Sequence, residues 1–166
     1  MKHFLLIITF ISINIDHIMG QEQSLSLDIR EIMNNLQGSF EWKMIRPSDN
    51  KILRTGTKVS QYDLDSLILI SHEEFNSSKI KQTALFGYKK SDSSFFSIGL
   101  YNIDIGPHIS YGYLNKDLRR VEFFENDSSK FYLNMVDTSE YNWTYEDLKN
   151  QNWIKRDLKI IFERRK

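Results

Sequence analysis

An antiparallel all-β domain is the fold class that this sequence predicts, and three observations carry the prediction. From Phe40 onward, apolar and polar residues alternate with period two in one short stretch after another. Clusters of turn-forming residues, such as Pro47-Ser48-Asp49-Asn50 and Asn126-Asp127-Ser128-Ser129, separate these stretches. Only one segment, near the N-terminus, keeps the 3.6-residue period of a helix. The long alternating helices that a parallel sheet requires are missing.

The 166 residues suit one domain, long enough to bury a core without staples. Lys and Arg number 22, and so do Asp and Glu, so the chain is neutral. That balance argues against a protein built to hold nucleic-acid phosphates. Cysteine is absent, which excludes a disulfide scaffold, a thiolate zinc site and a cysteine nucleophile. Aromatic residues, at 13 %, are the one compositional excess.

Residues 1–20 read as a secretory signal: Lys2, then an apolar run from Phe4 to Ile15, then Gly20 as the small residue before a cut at Gln21. The run is shorter than the roughly 20 residues of a transmembrane helix. Cleavage removes Lys2 and Asp16, so the mature chain stays neutral. The expected locations are the bacterial periplasm or the exterior, with no membrane-integral segment after cleavage. Residues 21–37 hold an amphipathic helix, with Leu25, Ile29, Ile32, Met33 and Leu36 on one face. Ser24 or Ser26 supplies its cap and Gly38 its stop.

Residues 38–166 form the β domain. Phe40, Trp42 and Met44 share one face of the first strand. Ile52 to Tyr62 is strand-like but polar, and Leu67 to Ile70 and Ile80 to Tyr88 follow. Phe96, Ile98 and Leu100 alternate with small residues, as do Ile109, Tyr111 and Tyr113. Val121 and Phe123, then Phe131, Leu133 and Met135, mark two more strands. Leu158, Ile160, Phe162 and Arg164 share a face of the last. Asp137 to Trp153 is the least regular stretch, with Thr144-x-x-Asp147 offering either a capping box or a polar loop. The count is eight or nine strands.

The segment order, with Leu36-Gln37-Gly38-Ser39-Phe40-x-Trp42 at the opening, Phe86-Gly87-Tyr88 at the centre, Phe95 to Asn102 beyond it and Phe162 to Lys166 at the end, resembles an uncharacterised bacterial family of exported lipocalin-like (calycin-type) domains. The resemblance implies an up-and-down barrel preceded by one short helix. It also implies a closed end where Arg164 covers an aromatic ring. The family's opening tryptophan is Phe40 here, with Trp42 two residues later.

Such a barrel is either filled by side chains or wide enough for one small ligand. The leading expectation is non-catalytic binding of a small apolar or amphipathic molecule, with Trp42, Tyr88, Tyr101, Tyr111 and Tyr113 as candidate lining and Phe40 and Arg164 closing the barrel. One alternative is a packed barrel acting as a structural or protein-interaction module. Another is an enzyme or haem protein that uses His72 or His108, the two histidines of the mature chain. His72-Glu73-Glu74 lacks the second histidine of a zinc helix, and on a strand His72 and Glu73 point to opposite faces. Asp104 and His108 flank the Gly106-Pro107 turn, which reads as a rim pair. Asp63 and Asp65 read as a turn with solvated charge. No metal, cofactor or nucleic-acid partner is expected, and oligomeric state is left open.

Overall fold

The structure is a computed structural model and describes residues 27–63, 67–103 and 106–166. The expected signal, the helix caps Ser24 and Ser26, and the residues Asp65 and Asp104 lie outside that set. Helix α1 spans Leu27–Leu36. Ten strands follow: β1 Gly38–Arg46, β2 Lys51–Asp63, β3 Ile68–Phe75, β4 Lys81–Lys89, β5 Ser94–Tyr101, β6 His108–Asn115, β7 Arg120–Asn126, β8 Ser129–Met135, β9 Glu140–Lys149 and β10 Asn152–Arg164. Each strand pairs antiparallel with the next, and β10 pairs with β1, which closes the barrel.

The strand missing from the sequence count is β9. The capping-box reading of Thr144-x-x-Asp147 is overturned there, because Glu140–Lys149 is paired on both sides, to β8 and β10. Tyr141, Trp143 and Tyr145 alternate with Asn142, Thr144 and Glu146, so period two was present but both sets contain polar atoms. The ladder on each flank, rather than local preference, decides the conformation.

Of the expected helix face, Ile29, Ile32, Met33 and Leu36 are buried, and Leu25 lies outside the described residues. They lie over one end of the barrel, called here the lower end. Ion pairs Lys116–Asp28 (2.9 Å) and Arg119–Glu31 (3.4 Å) tie the helix to the β6–β7 turn. The Tyr62 hydroxyl donates to the Asn34 side-chain oxygen at 2.7 Å. Gly38 joins helix to barrel at φ +126°, a backbone angle that an L side chain rarely adopts, and a Cβ there would strike Arg164.

Below its midline the barrel is filled with rings. Phe40 meets Tyr141 edge-on at 5.2 Å, and Tyr141 stacks on Phe162 at 4.6 Å. Across the floor, Phe86 packs on Phe95 and Phe123 at 5.6 and 5.9 Å. Arg164 caps this end: its guanidinium lies 4.9 Å from the Phe40 ring centre and donates to the carbonyls of Gln37 (2.6 Å), Asn35 (3.0 Å) and Thr138 (3.1 Å). One cation thus satisfies carbonyls at the helix C-terminus, which have no partner within the helix.

Candidate functional site

Beside and above the ring-filled floor lies a cavity of about 410 Å³, which reaches down to Leu36 of α1. It exists because facing strands carry side chains of unequal size. Strands β2 to β6 turn small residues inward: Ser60, Ser71, Ala84, Ser97, Gly99 and Ser110. Two of the serine pairs are direct cross-strand neighbours, Ser60 with Ser71 and Ser97 with Ser110. Opposite, strands β8 to β10 present Phe131, Trp143, Tyr145 and Ile160. Phe131 and Trp143 are 5.4 Å apart, and Phe123 stacks behind Phe131 at 5.0 Å, so the large wall is braced and cannot collapse into the gap.

Two ionised side chains face each other inside. The Lys58 ammonium lies 3.4 Å from the Glu73 carboxylate, and the two side chains are only 10 % and 11 % exposed. Lys58 also stands over the rings of Phe162 (5.0 Å) and Tyr141 (5.6 Å). Burial works against its charge, yet Tyr141 and Glu73 outweigh it and hold the ammonium above its ordinary pKa. The Tyr141 hydroxyl beneath is buried and makes no hydrogen bond to the described residues. Burial pushes it up to about 12, with the Lys58 ammonium pulling the other way.

The mouth, at the upper end, is lined by Gln82, Tyr101, His108, Glu125 and Arg156. Arg156 sits where the β9–β10 register breaks, between Lys155 and Lys159. It grips Asp147 through two hydrogen bonds of 2.6 and 2.8 Å and reaches the Ser129 hydroxyl at 3.2 Å. That grip holds the Asp147 carboxyl below its usual range. Burial pushes the Tyr145 phenol upward.

The residues singled out from sequence are scattered by this geometry. Tyr101 lines the cavity mouth, 5.9 Å ring to ring from His108, which lines it too. Trp42 is buried beside the cavity and not in its lining: it packs edge-on against Phe75 at 4.7 Å and donates its indole N–H to the Thr57 carbonyl. Gly56 opposite it leaves the room that the indole occupies. Tyr88 packs on Phe95 at 5.0 Å, in the filled lower half. Tyr111 and Tyr113 are 57 % and 56 % exposed on the outer face, because Ser110 and Gly112 take the inward positions of β6. His72 is also outside, at 3.2 Å from the Thr83 hydroxyl, while its neighbour Glu73 points in. Asp63 is exposed at the end of β2.

Lys58, Trp143 and the four serines escaped the sequence reading, which weighed Glu73 only as the neighbour of His72. Their signal was the polar character of β2, whose inward positions Lys58 and Ser60 look like a solvated face. Among the described residues, no three His, Asp or Glu side chains gather in a metal-binding cluster, and no helix is long and apolar enough to cross a membrane.

No family model matches the chain, and no curated protein matches it significantly. The architecture therefore speaks through its geometry alone. It is consistent with a calycin-like fold. The closed ten-stranded meander behind one helix carries that likeness.

Proposed function

We propose that the barrel binds a small amphipathic molecule in its upper cavity without transforming it. The carrying observation is the cavity itself: about 410 Å³, within the roughly 300–1,000 Å³ of small-molecule sites, with one aromatic wall and one polar wall. A filled structural barrel fits the lower half alone. A purely apolar ligand suits the site less well than an amphipathic one, since the cavity holds the Lys58–Glu73 pair and a row of serine hydroxyls.

Native mass spectrometry of protein purified from an exporting host tests this. The expected result is a discrete adduct that leaves on denaturation. Recovery of the bare chain mass from every host counts against the proposal. The same spectrum reads the N-terminus. Our reading that the barrel works outside the cytoplasm rests on the apolar run from Phe4 to Ile15 and on the lack of cysteine, and it expects a chain starting at Gln21. A chain retaining residues 1–20 in the exported fraction contradicts it.

A further inference from the structure

The cavity's charges are already matched from within the protein. Glu73 faces Lys58 at 3.4 Å, and Asp147 holds Arg156 at 2.6 and 2.8 Å. Glu125 adds another carboxylate at the mouth. A ligand carboxylate entering here has to crowd Glu73 and share one ammonium with it, in a site with little water to screen the repulsion. An acyl chain meets a second obstacle. Its methylenes would lie along Ser60, Ser71, Ser97 and Ser110 and strip water from those hydroxyls without replacing the lost hydrogen bonds.

The opposite wall suits a different shape. Phe131 and Trp143 line the void with their rings inclined at 57° to each other, and aromatic rings pack against the less polar side of flat or puckered rings. Across the gap, two cross-strand serine pairs offer hydroxyls: Ser71 donates to the Ala84 carbonyl at 3.4 Å and is left to accept, while Ser60, Ser97 and Ser110 can donate and accept. Lys58 and Glu73 place a strong donor beside a strong acceptor, the complement of a ligand edge that carries an acceptor beside a donor.

We infer that the cavity takes a neutral, ring-shaped polar molecule, one face against Phe131 and Trp143 and its rim bonded to the serine wall and to the Lys58–Glu73 pair. This rests on the cavity being a binding site, as proposed above. The shared chemistry is an uncharged ring with adjacent donor and acceptor groups, which either a saccharide or a lactam-bearing heterocycle provides.

Titration calorimetry on the full folded chain tests it with four probes: maltose, uridine, palmitate and decanol. The expected result is saturable one-to-one binding of maltose or uridine that high salt does not weaken. Which of the two binds separates the sources. Trp143→Leu and Ser97→Leu should each weaken that binding about tenfold or more, whereas Trp143→Phe retains it. Should the leucine variants fail to fold, as judged by their thermal melts, Ser97→Ala carries the test, because it removes one hydroxyl and adds no bulk. Binding of palmitate or decanol with neither ring probe overturns the ring class and leaves the barrel a binding protein. Binding of none of the four at millimolar concentration overturns both readings.

Discussion

The two ends of this barrel are built from the same strands and yet behave as different materials. Below the midline, Phe40, Phe95, Phe123, Leu133 and Tyr141 are fully enclosed, α1 lies across the opening, and Arg164 fastens the helix to the last strand. Above it, β4 and β5 exchange the rings of Phe86 and Phe95 for Ala84, Ser97 and Gly99, and the interior opens into a polar cavity. A strand thus changes from core to site within two inward positions, as β5 does between Phe95 and Ser97. The difference teaches where stability and binding are separable. The lower end holds the barrel shut by packing, which leaves the upper end at liberty to keep buried polar groups and empty space, features that cost stability wherever they occur.

Substitutions at the two ends break or sharpen that contrast. The largest effect is expected at Phe40→Ala, which should lose about 3–5 kcal/mol in a chemical melt, because the helix and Arg164 prevent the site from collapsing. Phe131→Ala, whose ring borders space already open, should lose clearly less. Equal losses would mean that the upper wall is as tightly packed as the floor. Next comes Lys58→Met. It leaves Glu73 buried without its counter-charge and should cost about 3–5 kcal/mol at neutral pH, while the double variant with Glu73→Leu should recover most of that loss. If the single variant melts like the parent, water reaches the pair freely and the cavity is wetter than its geometry implies.

Tyr141 supplies a pH test of the lower end. Its folded pKa, about 12, stands above the ordinary value of 10, so folding favours the protonated phenol. That contribution is whole below pH 10 and declines as pH rises from 10 towards 12. Phenolate absorbance should show a late-titrating group that Tyr141→Phe removes. A parent curve whose extra phenolate appears near pH 10 instead would place the hydroxyl in contact with solvent. Arginines give a smaller contrast. Arg164→Ala should cost about 1–3 kcal/mol through stranded helix carbonyls, whereas Arg156→Ala, from a partly exposed pair, should cost about 1 kcal/mol or less. Smallest of all, Tyr111→Ser on the outer face should shift stability by no more than about 0.5 kcal/mol, despite the aromatic residue it removes.

The all-β class, the preceding helix and nine of the ten strand positions were legible because alternation and turn chemistry are local properties. β9 was not legible, since Tyr145, Asn142 and Thr144 carry polar atoms on both faces and blur the alternation on which the eye relies. The site was legible only in Tyr101 and His108. Tyr111 and Tyr113 were candidates because aromatic residues draw attention, but their neighbours Ser110 and Gly112 hold the inward places. A serine that faces a cavity and a serine that faces solvent are the same letter, and parity along β6 can be assigned only against β5 and β7.

By itself the sequence determined the compartment expectation, the neutral and cysteine-free chemistry and the period-two grammar of the strands. Each depends on residues close together in the chain. Only the tertiary structure decided which face of each strand turns inward, that Lys58 meets Glu73, and that small side chains on β2 to β6 stand opposite large ones on β8 to β10. The physical reason is closure. A cavity is a difference in volume between strands that are distant in sequence, and that difference is fixed only when β10 pairs with β1 and sets every register around the ring.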